Sequence, residues 1–403
     1  MRIAHIITRL ILGGAQENTV LSCEDLRRLY GDQVLLVTGP PLGPEGSLLE
    51  QARAGGVPVE LVPSLRRAIH PWRDWLSYRR ILRILADFQP DVVHTHSAKA
   101  GILGRLAASR LGVPAIIHGV HGAPFHPYQS TAARAFFRAC ERWAARHCHA
   151  FVSVADAMTE LLVSAGVAPR EKFTTVYSGM EVEPFLEANE YREQMRRQLG
   201  YRPGDVVVGK VARLFYLKGH QYLIEAAGHV ARADPHVQFL LVGDGVLGER
   251  LWRRICQQGL AERFRLTGLV EPEAIPKLIA AMDIVVHLSL REGLARVLPQ
   301  ALIAGRPVVS FDVDGAREVV IPGQTGYLAP PKSVQPVAEA ILQLAADPDL
   351  RARLGREGQR RFTDRFRHEQ MTAALRRLYV RTLEARGYGA GQGGADEQGQ
   401  RGS

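Results

Sequence analysis

Short, continuous apolar runs rich in β-branched residues recur along this chain, each followed by a longer amphipathic stretch. In the first half they are RIAHII, QVLLVTG, VPVELV, DVVHTH, PAIIHGV, AFVSV and FTTVYSG. In the second half they are VVVGKVA, VQFLLVG, FRLTGLV, DIVVHLS, RPVVSFD and GYLAP. A strand with one wet face alternates apolar and polar residues, whereas these runs do not. They predict strands covered on both faces, hence parallel sheets with helical crossovers. Two such series in succession predict an α/β protein of two doubly wound domains, a number that 403 residues also favour. The join falls in SGMEVEPFLEANEYREQMRRQLG (178–200), giving domains over 1–185 and 186–365. The amphipathic stretch at 366–386 is expected to pack across the domains. The tail at 387–403, GYGAGQGGADEQGQRGS, has almost nothing to bury and reads as disordered. In such folds ligands bind at the carboxyl ends of the strands, here in a cleft between domains, so the residues just after each run carry the functional expectations.

Composition narrows the partners. The net charge of +10 is almost all arginine, with only six lysines, and it is spread over both halves. No aromatic-rich basic motif of a nucleic-acid-binding module accompanies it, so no nucleic acid is expected as partner. One cluster stands out: SLRRAIHPWRDWLSYRRILR (64–83) sets six arginines and two tryptophans against one aspartate. It reads either as a solvated helix face or as a surface for anionic lipid or a lipid-linked substrate. The opening segment reads as a buried first strand rather than a signal peptide, and no run approaches the roughly 20 apolar residues of a membrane span. Cysteines 23, 140, 148 and 256 lie scattered without CxxC spacing, which fits a reducing cytoplasm, with peripheral contact at the inner face of the membrane through 64–83.

Three strand ends carry chemistry. After the first run, Gly13 and Gly14 allow backbone N–H groups to come close to a phosphate, without forming a GxGxxG or P-loop pattern. After VVVGKVA, Arg213 and Lys218 converge at a strand end and helix start, where a guanidinium fork and an ammonium can hold a diphosphate. After DIVVHLS come Glu292 and Gly293, then a helix predicted to start at Pro299 and run to Gly305 at its C-cap. Gln300 would then sit in the first helical turn beside free backbone N–H groups. A carboxylate, an amide and an anion-binding helix start would share one site, which suits a nucleoside diphosphate with an attached sugar.

In this order and spacing, GGAQ (13–16), DVVHTHSAKAGILGR (91–105), HGVHG (118–122), VYSGMEVEPF (176–185), VARLFYLKG (211–219), LVGDG (241–245), LTGLV (266–270) and REGLARVLPQALIAGRPVV (291–309) resemble a family 4 glycosyltransferase over about residues 1–385. The resemblance implies a GT-B fold of two Rossmann-like domains facing a central cleft, and a retaining, metal-independent enzyme of the hexosyltransferase type. It would need no cofactor beyond its donor substrate, most readily a UDP-sugar, and would serve a saccharide or lipid-linked acceptor in polysaccharide biosynthesis. The resemblance assigns Arg213 and Lys218 to the donor diphosphate and the leaving group, and Glu292 to the donor sugar. Gln300 falls where a second glutamate usually contacts the ribose; an amide can still accept a hydroxyl hydrogen bond. Gly293, Leu294 and Ala295 would meet sugar and phosphate, while Leu266, Thr267 and Gly268 would frame the base. Gly13 and Gly14 would approach the donor from the other domain, and His121 would line the sugar side. An epimerase of the same fold and a non-catalytic sugar-nucleotide-binding homologue are the alternatives.

Two further patterns invite a metal. FDVDGA (311–316) contains an Asp-x-Asp, which at this position reads as an ordinary loop. His94 and His96 share one face of a strand end, but no third ligand is evident in the sequence, so packing is the expected role and no metal site is assigned.

Overall fold

The computed structural model describes residues 1–42 and 46–389. Of the tail expected to be disordered, all but 387–389 lies outside the described residues. The chain forms two compact units, Met1–Met180 with the stretch from His368 onward, and Glu181–Arg367 between them.

All thirteen apolar runs form strands. The first unit holds Arg2–Ile7 (β1), Gln33–Thr38 (β2), Val59–Leu61 (β3), Val92–His96 (β4), Ala115–Val120 (β5), Ala150–Ser153 (β6) and Phe173–Thr175 (β7). The second holds Val206–Val211 (β8), Val237–Val242 (β9), Phe264–Leu266 (β10), Ile284–His287 (β11), Val308–Phe311 (β12) and Gly326–Ala329 (β13). Each set makes one parallel sheet, in the orders β3-β2-β1-β4-β5-β6-β7 and β10-β9-β8-β11-β12-β13. In each unit the strand order reverses once, between β1 and β4 and between β8 and β11, and a crevice opens at such a point.

Burial on both faces explains the absence of alternation. In the first unit Ile3, Ile7, Leu36 and Val92 face the helices Gly14–Tyr30 and His368–Glu384, meeting Leu26, Met371, Leu375 and Leu378. Ala4, Ile6, Val37 and Val93 face the other way, against Ile81 and Ile84 of the helix Pro71–Phe88 and Ala107 of the helix Ala98–Arg110. Each fully buried Ile or Leu contributes about 1.5–3 kcal/mol relative to exposure. The final helix, His368–Glu384, thus belongs to the first unit. Buried Asp25 accepts from its His368 Nδ1 at 2.7 Å and Thr372 Oγ1 at 3.0 Å, and Asp32 accepts from Arg376 Nε at 2.9 Å and the chain's amino terminus at 2.8 Å. In the second unit Arg192 and Arg196 clasp Asp283 at 2.6 and 3.0 Å, and Asp283 also accepts the Val207 N–H at 2.8 Å, which fastens the entry helix to the sheet.

The apolar layer beneath the final helix contains three imidazoles, His5, His94 and His96, all buried. Burial pushes His5 down to about 3 and holds His94 and His96 well below the ordinary histidine value, so all three are neutral in the folded chain. An unfolded chain would bind protons on them below pH 6.5 while the folded chain does not, so stability is full above that pH and falls as pH drops. Thermal unfolding followed from pH 7.5 to 5 should show a falling Tm, with each histidine adding up to about 1.4 kcal/mol per pH unit. A Tm that stays level across that window contradicts the neutral buried assignment.

Candidate functional site

In the second unit the loops after β8 and β11 meet at the reversal point. Gly219 ends the turn Tyr216–Lys218 at φ 67°, and a Cβ there would stand 1.8 Å from the Leu288 carbonyl oxygen, so the approach of the two loops requires glycine. The Leu290 N–H donates to the Leu217 carbonyl at 2.9 Å and staples the loops together. This brings the Lys218 ammonium onto Oε1 of Glu292, with both side chains largely sheltered.

Beneath the pair lies a layer that the sequence reading did not single out. His287 Nε2 stands 3.5 Å from Glu292 Oε1. Burial acts to raise the Glu292 carboxyl, but the His287 contact and the Lys218 charge outweigh it and hold the group well below the usual carboxylate range. Burial in turn pushes His287 down to about 4, so a neutral imidazole N–H faces an ionised carboxylate. Lys210, on β8, is fully buried, and its Nζ has no hydrogen-bond partner among the described residues. Burial and the neighbouring Lys218 bring it down to about 7, against the pull of Glu292. His220 Nε2 donates to the Arg213 carbonyl at 3.0 Å, anchoring that loop from below, and burial pushes this imidazole down to about 3.

Asp314 is the other unforeseen element. Its Oδ2 accepts the Glu292 N–H at 2.6 Å, while the Gly315 N–H donates to the Gly293 carbonyl at 3.0 Å. The loop after β12 therefore latches the loop that carries Glu292. Its Asp-x-Asp partner Asp312 is taken by Arg317, at 3.0 and 2.7 Å, so the two carboxylates serve different structural ends.

The expected helix start needs correction. The helix spans Val297–Ile303, two residues earlier than predicted, with Pro299 in its third position, where a missing N–H is still tolerated. Leu298 N–H already bonds Ala295 O at 3.1 Å and Gln300 N–H bonds Arg296 O at 3.1 Å. Both N–H groups are thus committed within the turn, and Gln300 is the fourth residue of the helix. Gly293 and Ala295 are buried and Leu294 is half-buried in the latched loop. Arg213 shares the Lys218 loop, with its guanidinium 5.0 Å over the Phe215 ring. Leu266, Thr267 and Gly268 leave β10, two strands from β8; the Gly268 carbonyl accepts the Gly243 N–H at 3.0 Å, and Thr267 N–H bonds Leu241 O at 3.1 Å.

In the first unit Gly13 and Gly14 follow β1 and open the helix Gly14–Tyr30, the Gly13 carbonyl accepting from Gln16 and Glu17 N–H at 3.1 and 3.0 Å. Gly13 has φ 169°, an extended backbone open to any residue. His121 lies at the end of β5, its Nε2 3.0 Å from His96 Nδ1. His118, three residues earlier, is core: its Nδ1 meets Thr95 Oγ1 at 2.9 Å beneath Gly101. Ser97, directly after β4, adopts φ 60°, with its Oγ 2.7 Å from Thr8 Oγ1, a strained turn at the β1–β4 reversal point.

Two sequence models match: the glycosyl transferase 4-like domain over residues 13–179, and glycosyl transferases group 1 over residues 191–361. A GDP-mannose-dependent alpha-mannosyltransferase of Mycobacterium tuberculosis is 30% identical over 79% of this chain and 80% of its own. The Escherichia coli UDP-Gal:alpha-D-GlcNAc-diphosphoundecaprenol alpha-1,3-galactosyltransferase is 27% identical over 87% of this chain and 89% of its own. Among solved structures, Anabaena HepE in complex with UDP has a TM-score of 0.78 at 24% identity, covering 94% of this chain and 99% of that one, a likeness of fold. Two parallel sheets in the GT-B arrangement of elements, the matched models and these relatives together establish that the chain belongs to the family 4-like, group 1 glycosyltransferases, enzymes that use a nucleotide-sugar donor.

Proposed function

We propose that this glycosyltransferase moves a hexosyl unit from a UDP-sugar to a lipid-linked saccharide, with retention at the anomeric carbon and without a metal in the donor site. The Lys218–Glu292 pair at the β8–β11 reversal point carries the reading. A donor diphosphate offers Lys218 a stronger anionic partner than one carboxylate, and the Arg213 guanidinium can add a forked contact from the same loop. Glu292, released and still ionised, would then accept from hydroxyls of the donor sugar. As the bond between the anomeric carbon and the diphosphate oxygen breaks, Lys218 and Arg213 stabilise the charge growing on the departing UDP. The acceptor oxygen bonds to the same face of the sugar and its proton passes to the departing diphosphate oxygen. The backbone of Gly293, Leu294 and Ala295 would orient the donor. The preference for UDP rests on the E. coli relative's name and on neighbours solved with UDP and with UDP-glucose; the M. tuberculosis relative's name makes GDP the competing donor.

The acceptor reading rests on the helix Pro71–Phe88. Ile69, Trp72 and Trp75 are 68%, 62% and 44% exposed, the two indoles stacked at 4.9 Å, among exposed Arg66, Arg67, Arg79, Arg80 and Arg83. Exposed indoles ringed by guanidinium groups suit an anionic lipid interface, and the E. coli relative's name specifies a diphosphoundecaprenol-linked acceptor. No helix among the described residues is long and apolar enough to cross a membrane.

A thermal-shift series with UDP, GDP, ADP and their sugar conjugates, with and without chelator, should show a rise of several degrees for UDP compounds that chelator leaves intact. Lys218→Ala should weaken UDP at least about a hundredfold. A rise with GDP alone would reassign the donor, and product anomers read by NMR coupling constants test retention. Asp314→Ala should free the Glu292 loop and weaken UDP-sugar about tenfold, with a smaller effect on UDP itself; equal losses for both would place Asp314 in general stability instead. In flotation, the protein should rise with vesicles containing anionic lipid at low salt, and Trp72→Ala/Trp75→Ala should stay behind while keeping its UDP shift. Wild-type protein that never floats removes the lipid surface from the proposal and leaves the transferase.

A further inference from the structure

The sequence offered two histidine ligands on one strand and no third; the fold supplies it. β1 and β4 pair in parallel with His5 opposite His94, and the two-residue period of β4 puts His96 on the same face. One ring nitrogen from each of His5, His94 and His96 lies within 4.8 Å of the other two, and all three side chains are buried. We infer that these three imidazoles form a binding site for a first-row transition-metal ion of the zinc type, set inside the first unit.

The hydrogen bonds around the cluster select the atoms. Tyr379 OH holds His94 Nδ1 at 2.7 Å, and His121 Nε2 holds His96 Nδ1 at 3.0 Å. In the metal-binding form each Nδ1–H donates to these partners, which sets the ring's orientation and makes Nε2 the lone-pair atom. His94 Nε2 has no hydrogen-bond partner among the described residues. His96 Nε2 faces His5 Nδ1 at 3.0 Å, close to the spacing of two ligands on one small ion. The remaining His5 nitrogen, Nε2, is likewise buried without a partner. On binding, the proton His5 shares through Nδ1 would move to that Nε2, so the imidazoles themselves release no proton. The opposing residue, Gly119, leaves room: a Cβ there would stand 3.0 Å from His94 Nε2 and from His96 Nδ1. Burial keeps all three rings neutral, the form that binds metal. Neutral ligands supply no counter-charge, so the ion would carry an anionic fourth ligand such as hydroxide. Its role would be to brace β1 against β4 and, through His96, to hold His121.

The test uses the full chain without a histidine tag, expressed in medium supplemented with Co2+ and also refolded in a slight excess of it, then desalted. The expected result is about one Co2+ per chain by elemental analysis, with the intense visible bands of a four-coordinate ion. His5→Gln and His94→Gln should each lower the content to under about a tenth while keeping the UDP-induced thermal shift, which reports on the second unit. Wild-type protein holding under about a tenth of an ion by both routes overturns the site whatever the variants do. Equal metal in wild type and both folded variants overturns it too, placing the ion elsewhere on the surface. Failure of the UDP reading would leave the metal count untouched, so the two proposals fail separately.

Discussion

A parallel sheet covered on both faces leaves its strands no contact with solvent except at their ends. Each connection must climb back over one face as a helix, so every βα loop emerges along the same edge. Central strands of both sheets are buried along their whole length, β4 and β5 in the first and β11 and β12 in the second. The consequence is spatial. Polar residues that follow strands far apart in sequence arrive side by side where the strand order reverses, and Lys218 and Glu292 meet there across seventy-four positions. Gly219, pressed against the Leu288 carbonyl, shows how closely the two loops are drawn together.

The electrostatics of the second unit follow from that crowding. Taking a carboxylate and an ammonium out of water costs several kcal/mol per ion unless each compensates the other. Glu292 and Lys218 do so, and His287 adds a neutral N–H beneath them. Lys210, deeper and unpartnered, adds positive character without a fixed bond. The site is thus basic and already holds an anion of its own, which keeps its geometry ordered before any phosphate arrives. The Asp314 latch does the same for the backbone of the Glu292 loop.

The strands were legible because short β-branched apolar runs bounded by turn residues read as buried strands, and Lys218 and Glu292 were legible because each lies in the loop after such a run. Other features were hidden for identifiable reasons. Lys210 and His287 lie inside VVVGKVA and DIVVHLS, where a run of apolar neighbours masks one polar side chain. The helix at Val297 begins before Pro299 because proline fits any place in a first turn, so its position does not fix the start. Asp314 looked like half of a metal motif, whereas its bond to the Glu292 N–H depends on two loops meeting. His5 could join His94 only once the β1–β4 register was known, which is a non-local fact.

The return of the last helix to the first unit changes the order in which the protein can be made. Residues 181–367 form a complete unit with both flanks of their sheet supplied from within. The first unit is interrupted by them: Asp25 and Asp32 are buried carboxylates whose partners His368 and Arg376 are synthesised more than three hundred residues later. His94 likewise waits for Tyr379. On a ribosome the N-terminal sheet would therefore remain open along one face while the inserted unit folds ahead of it. The oldest part of the chain would be the last to close.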